Sequence, residues 1–321
     1  MINFSVIIPH KNIPKLLQRC LDSIPQRDDL EVIIVDDNSD PNIVDFEHFP
    51  GLNRKDTTVI FDKTGKGAGR ARNVGLDHAK GNWLLFADSD DYFNYCLSDI
   101  LKEYLNDDSD IVYFLASSVD SETYLNVKRS EEFNFFLQEY LGGKIKYEWH
   151  IRYVLASPWS KLIKRRLIFD NGIKCEETTK HNDIRLCYLM GYYAKKIKVD
   201  GRAIYCVTYR SASITHTITK EKVLDAMRVM ARKDCFFKEH DIQVPKGYNR
   251  NFFPALVNVA ASGDVELYEQ CLEELSKFGI PVKEERRLVR RELEVKKKTI
   301  IDKVRQMIAL RTRFRRFFAL E

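Results

Sequence analysis

Four short apolar runs dominate the first third of the chain: Phe4–Pro9, Glu31–Val35, Thr57–Phe61 and Trp83–Ala87. Each is rich in β-branched or aromatic residues and too short for a helix, so each reads as a strand buried on both faces. Amphipathic or glycine-led helical stretches, Lys15–Ser23 and Gly69–Ala79, lie between them. The order strand, helix, strand, strand, helix, strand implies parallel crossovers, hence an α/β doubly wound, mostly parallel sheet. Such a sheet binds ligands at the carboxyl ends of its strands.

Two strand ends carry acids. The second run stops in Asp36-Asp37-Asn38-Ser39-Asp40, and the fourth stops in Asp88-Ser89-Asp90-Asp91. Parallel strands deliver both clusters to one edge. Crowded carboxylates repel unless a cation sits between them. Divalent cations that serve phosphates are held by one or two carboxylates plus phosphate oxygens. The pattern therefore points to a metal–diphosphate site. Its plain alternative is a pair of solvated Asp/Ser turns that cap helices.

Gly65-Lys66-Gly67-Ala68-Gly69-Arg70-Ala71-Arg72-Asn73 is not a Walker A loop and lacks GxGxxG spacing. The expectation is a loop whose backbone approaches a nucleotide, with Arg70 or Arg72 supplying charge and Asn73 a hydrogen bond at the helix start. Further on, Asp110–Ala116 reads as a strand, Glu131–Leu141 as a helix, His181–Tyr192 as a helix beginning beside Asp183, and Lys196–Tyr209 as short strands. From Glu221 the pattern is helical throughout. A boundary near 218 is expected, with residues 1–218 as the catalytic domain and 219–321 as a helical C-terminal region.

Composition closes off other classes. The chain has 321 residues, 44% hydrophobic and 12% aromatic, which suits a folded core. No apolar run approaches transmembrane length. The opening residues enter a strand without a basic-then-apolar leader, so a cytoplasmic location is expected. Seven scattered cysteines with no CxxC pair suit a reducing compartment and argue against a zinc site. From Lys283 onward there are 14 Lys/Arg against 6 Asp/Glu, a net of +8, so within the overall +5 the preceding residues total −3. The basic character belongs to the tail, and no nucleic-acid-binding motif accompanies it. Thr299–Leu320 places Ile300, Ile301, Val304, Met307, Ile308, Phe314, Phe317 and Phe318 roughly on one helical side. Such a helix suits peripheral contact with an anionic inner membrane face, or packing on the catalytic domain or a partner helix.

Four ordered blocks carry a resemblance: Ser5-Val-Ile-Ile-Pro9, Val32-Ile-Ile-Val-Asp36-Asp37-Asn-Ser39, Gly69-Arg-Ala-Arg72-Asn73-x-Gly75-Leu76, and Leu85-Phe-Ala-Asp88-Ser-Asp90-Asp91. Together they resemble the inverting, GT-A-fold glycosyltransferases of family 2, over residues 3 to about 217. The resemblance implies a nucleotide-sugar donor, Mn²⁺ or Mg²⁺, and a glycan or lipid-linked acceptor of the kind used in polysaccharide, capsule or lipopolysaccharide biosynthesis. It implies that Pro9 and Asp37 meet the nucleoside of a UDP-sugar, and that Gly69, Arg72, Asn73, Asp88, Arg210 and Ser213 complete the donor site. Asp90 becomes the direct metal ligand, helped by Asp88 and His216. Trp159 and His181, with Glu177 nearby, fall to the acceptor; the plain alternative for Trp159 is core packing beside Leu162 and Ile163. The family's base lies in a Glu-Asp pair heading a helix. Here His181-Asn182-Asp183 takes that place, so Asn182 replaces the glutamate and Asp183 is the expected general base. Its plain alternative is a helix N-cap. Two rival functions stand beside this one. A nucleotidyltransferase would more naturally open with a Gly-rich basic loop where Pro9-His-Lys-Asn-Ile-Pro14 stands. A non-catalytic glycan-binding module would not need Asp37, Asp88, Asp90 and Asp183 together.

Overall fold

The computed structural model describes residues 1–210, 219–246 and 251–298. The chain divides into two compact units, Met1–Ile218 and Thr219–Glu321.

In the first unit, the four apolar runs become β1 (Phe4–His10), β2 (Leu30–Asp37), β3 (Thr57–Asp62) and β4 (Trp83–Phe86). They pair in parallel, with β1 between β2 and β4 and β3 outside β2. All residues of β1 and β4 are buried, which is why their sequences lack polar alternation. Helix α1 (Pro14–Asp22) starts with proline at N1 and buries Leu17, Cys20 and Leu21. Helix α2 (Ala68–His78) follows the glycine loop.

β1 does not stop at Pro9 but runs on to His10, pairing Pro9 with Val35 and His10 with Asp36. The proline is tolerated because β4 has already left. The last bond between them runs from Ala87 N–H to Ile7 C=O, and Pro9, two residues on and on the same side, has no ladder partner to lose.

Beyond β4 the chain forms β5 (Tyr92–Phe93), α3 (Leu97–Glu103), β6 (Ile111–Asp120), α4 (Glu131–Leu141), α5 (Glu148–Tyr153), β7 (Lys161–Lys164), α6 (Arg165–Asp170), α7 (Ile184–Tyr193) and β8 (Ile197–Tyr209). The eight strands lie in the order β3-β2-β1-β4-β7-β6-β8-β5. β7 runs antiparallel between β4 and β6, β6 and β8 are parallel, and β5 is antiparallel at the edge. The sheet is mixed but mostly parallel.

The short strands expected over Lys196–Tyr209 are one strand of 13 residues. Its register against β6 jumps around Phe114, Leu115 and Ala116. Asp200-Gly201 reads as a turn in sequence. In the fold it is an irregularity closed by Asp200, which accepts bonds from Arg202 N–H (2.8 Å) and Tyr104 O–H (2.8 Å).

The second unit contains α8 (Lys220–Glu239), α9 (Phe253–Ser262), α10 (Val265–Ser276) and a helix over 282–298. Met227, Phe252, Leu256, Cys271, Leu275 and Val289 form part of its core. Thr219 and Asp264 cap the helices that follow them by accepting bonds from Lys222 N–H and Leu267 N–H. Among the described residues, no helix is long and apolar enough to cross a membrane. The amphipathic stretch expected from Thr299 lies outside the described residues.

Candidate active site

The carboxyl ends of β1, β2 and β4 bring the two acid clusters to one edge, and each acid has a different fate. Asp36 is fully buried. It bonds His10 Nδ1 (2.8 Å) and accepts from Ser39 N–H (2.9 Å) and Ser39 Oγ–H (2.5 Å). Burial alone would raise its pKa, but these bonds bring it below the ordinary carboxylate value. Asp36 therefore serves the fold. Asp37 meets Lys11 Nζ at 3.1 Å and accepts from Gly67 N–H at 2.9 Å. That bond ties the end of β2 to the glycine loop, where Gly67 has φ +88°. Pro9 is buried beside this edge.

After β4, the side chains of Asp88 and Asp90 are 33% and 23% exposed, whereas Asp91 is only 3% exposed. This divides the three. Asp91 accepts from Thr208 N–H (2.7 Å) and from Tyr205 O–H (3.0 Å), and Tyr205 in turn accepts from Asp88 N–H (2.8 Å). Burial, with repulsion from Asp90 and Asp88, pushes the Asp91 pKa well up. Asp91 anchors the strand-end turn to β8, and the other two acids remain available.

Each available acid already holds a guanidinium. Arg72 donates to Asp88 Oδ1 at 2.5 Å, and Arg210 donates to Asp90 Oδ2 at 2.7 and 3.1 Å. Arg210 is thus beside the acid cluster, as expected, but its partner is the expected metal ligand. A third arginine was not anticipated. Arg19 of α1 donates to Asp90 C=O (2.5 Å) and Ser121 C=O (3.1 Å), with its guanidinium over the rings of Tyr92 and Tyr124. In sequence it belongs only to the polar side of an amphipathic helix, 71 residues from Asp90. No spacing signals the contact.

Asp183 stands at the N-cap position of α7, yet its side chain makes no capping bond. Its carboxylate is not spent on the helix terminus. It is half-buried, with dense protein around it and partial access to solvent. Desolvation raises its pKa above the ordinary value, Arg72 pulls it back, and Asp88 pushes it up again. His181, two residues earlier, is half-buried with φ +60°, and desolvation pushes its pKa down to about 4. It is therefore a neutral imidazole at physiological pH. Glu177 lies 3.6 Å from Lys66 and 3.7 Å from Arg70, so it pairs with the glycine loop.

Two expectations need correction. Asn73 is not at the helix start, and both ends of its amide are engaged by backbone. It donates to Cys175 C=O (3.0 Å) and accepts from Cys175 N–H (2.8 Å). Gly69 has a structural reason of its own, since a Cβ there would lie 2.0 Å from Glu176 O. Trp159 offers no open face. It is 9% exposed, stacked on Tyr205 (5.5 Å, 11°) and packed against Phe133 (4.7 Å). It supports Tyr205 from behind and so steadies the acid turn indirectly. Ser213 and His216 lie outside the described residues.

The residues a divalent cation would use, Asp88 and Asp90, are partly exposed oxygen donors after β4, each paired with one arginine that the cation would have to share or displace. Among the described residues no three His, Cys, Asp or Glu side chains form a metal cage. The pair suits a cation that completes its shell with water and diphosphate oxygens.

Comparison with known proteins gives the family and the fold. Residues 5–168 match the family model described as glycosyl transferase family 2. The chain is 27% identical over 258 residues to glycosyltransferase GlyG of Streptococcus pneumoniae, covering 75% of this chain and 83% of GlyG. It is 29% identical over 241 residues to the poly(ribitol-phosphate) β-N-acetylglucosaminyltransferase TarS of Staphylococcus aureus. That match covers 72% of this chain but only 40% of TarS. In structure, the chain resembles TarS 1–349 solved in complex with UDP-GlcNAc, with a TM-score of 0.62, 24% identity, and coverage of 86% of this chain and 80% of that one. At that identity the likeness establishes the shared fold.

Proposed function

Because this chain belongs to glycosyltransferase family 2, we propose that it transfers a sugar from a UDP-sugar to a hydroxyl of a glycan or lipid-linked acceptor, with inversion and with Asp183 as general base. The observation that carries this reading is the Arg72 guanidinium. One arm holds Asp88 and the other holds Asn182, the neighbour of Asp183. One guanidinium thus holds both the expected donor-side acid and the residue next to the expected base.

An acceptor hydroxyl is a weak nucleophile at neutral pH. Asp183, uncommitted to its helix, is free to take the proton as the hydroxyl attacks the anomeric carbon. Attack opposite the leaving diphosphate inverts that centre in one displacement. Asp90 and Asp88 would hold Mn²⁺ or Mg²⁺, whose charge offsets that of the departing UDP. Asp37 and Pro9 suit the nucleoside end, and His181 the acceptor side as a neutral hydrogen-bonding group. Arg210 would exchange Asp90 for a phosphate oxygen. The UDP preference draws on the TarS complex with UDP-GlcNAc, and makes an N-acetylhexosamine the first donor to test. Family membership sets aside the nucleotidyltransferase. Asp37, Asp88, Asp90 and Asp183 on one unit speak against a non-catalytic module.

The test is Asp183→Asn assayed for UDP release from UDP-GlcNAc and other UDP-sugars with acceptor glycans. Turnover is expected to fall about 10²-fold or more while Mn²⁺-dependent UDP binding persists. Full activity in the variant would remove Asp183 from the mechanism.

A further inference from the structure

Gly69, Arg72 and Asn73 stand at i, i+3 and i+4 on α2 and so share one helical face. All three are turned on the same piece of chain, residues 175–182, which leads directly to Asp183. At Gly69 the absent Cβ admits the Glu176 carbonyl, and an added Cβ would also lie 2.9 Å from Asn182 Cβ. Asn73 grips Cys175 through both its N–H and its C=O. Arg72, itself 5% exposed, donates to Asn182 Oδ1 at 2.7 Å. The segment also closes on itself, Glu176 N–H donating to Asn182 C=O at 2.9 Å. Both ends of 175–182 are therefore fastened to one face of one helix.

We propose that this face of α2 is a clamp that positions Asp183 against Asp88, and that Gly69 and Asn73 are positioning residues rather than nucleotide ligands. The clamp takes its purpose from the reading of Asp183 as base. The Asp183 side chain makes no capping bond, and its backbone C=O accepts from Cys187 N–H at 3.0 Å, so Asp183 is placed by α7 on one side and by the segment that precedes it on the other. A base must meet its proton within hydrogen-bond reach, and an error of about 1 Å costs about 10²-fold in rate. Arg72 is the one member that touches both sides, because its second arm holds Asp88. It thereby sets the spacing between the donor acid and the base.

The clamp and the nucleotide-cradle reading predict different losses. Asn73→Ala is tested in the full chain by amide hydrogen exchange across Cys175–Cys187 and by calorimetric titration of UDP with Mn²⁺. Asn182→Ala, at a half-exposed position with less effect on the core, is tested alongside it. The clamp predicts exchange faster by about tenfold or more across that segment, with the UDP dissociation constant within about twofold of the unaltered protein. UDP-GlcNAc turnover should fall while its KM holds. A UDP dissociation constant raised about tenfold or more, or unchanged exchange in both variants, overturns the clamp. Failure of the unaltered protein to bind UDP would instead defeat the donor reading, and the exchange measurement would still decide the clamp.

Discussion

Asp183 and His181 lie two residues apart, and burial moves them in opposite directions. The carboxyl is raised and the imidazole is lowered to about 4. Both shifts favour the uncharged form, the expected effect of desolvation. For catalysis the signs matter. A general base acts only when deprotonated, so activity should rise with pH through the raised Asp183 pKa. The acid limb of kcat/KM is expected above the ordinary Asp value of about 3.9. A pH–rate profile checks this, and an acid limb at or below the ordinary value would mean another group is the base. His181 charges only near pH 4 and below, so it stays neutral at physiological pH and can add only to the lowest part of that limb. At this scale the acids were legible because carboxylates crowded at a strand end are rare without cause. Arg72 and Arg210 were expected at the donor site, but their acid partners were not legible, and Arg19 was not anticipated at all. Arg72 and Arg210 meet the Asp88 and Asp90 carboxylates across 16 and 120 residues, and Arg19 meets the Asp90 C=O across 71, and sequence spacing carries no such information.

Among the elements, β8 connects most of the site. Its Tyr205 hydroxyl accepts from Asp88 N–H and donates to Asp91, and its ring stacks on Trp159 and meets Phe93 edge-on. Tyr205→Phe keeps the ring and removes the hydroxyl, leaving a buried acid and a backbone N–H each short of a partner. A loss of about 1–3 kcal/mol is expected, read from denaturant or thermal melts. A loss well below that range would mean that water replaces the hydroxyl. The parallel strands were readable because a doubly buried strand is apolar throughout. β7 and the unbroken length of β8 were less so. β7 is four residues reversed between two parallel neighbours, a topology its composition does not reveal. Asp200-Gly201 has turn chemistry but is held in the strand by its pairing with β6 and by Arg202 and Tyr104. In α2, glycine, arginine and asparagine suggested a ligand, whereas their shared face meets the chain itself. Helical periodicity identifies a face but not what covers it.

At the scale of the whole molecule, the expected donor and base residues fall within Met1–Ile218, and Thr219–Glu321 has its own core. A protein ending at Ile218 is expected to melt cooperatively and to bind UDP with Mn²⁺ within about twofold of the full chain. Weaker binding would assign the helical unit a part in the donor site. A metal-assisted UDP-sugar site on the carboxyl edge of the sheet is tested by calorimetric titration of UDP, with and without Mn²⁺, into the unaltered protein and Asp90→Asn. Saturable, Mn²⁺-dependent binding that weakens about tenfold or more in the variant is expected. Equal affinity in both proteins, or no UDP binding in the unaltered protein, would contradict it.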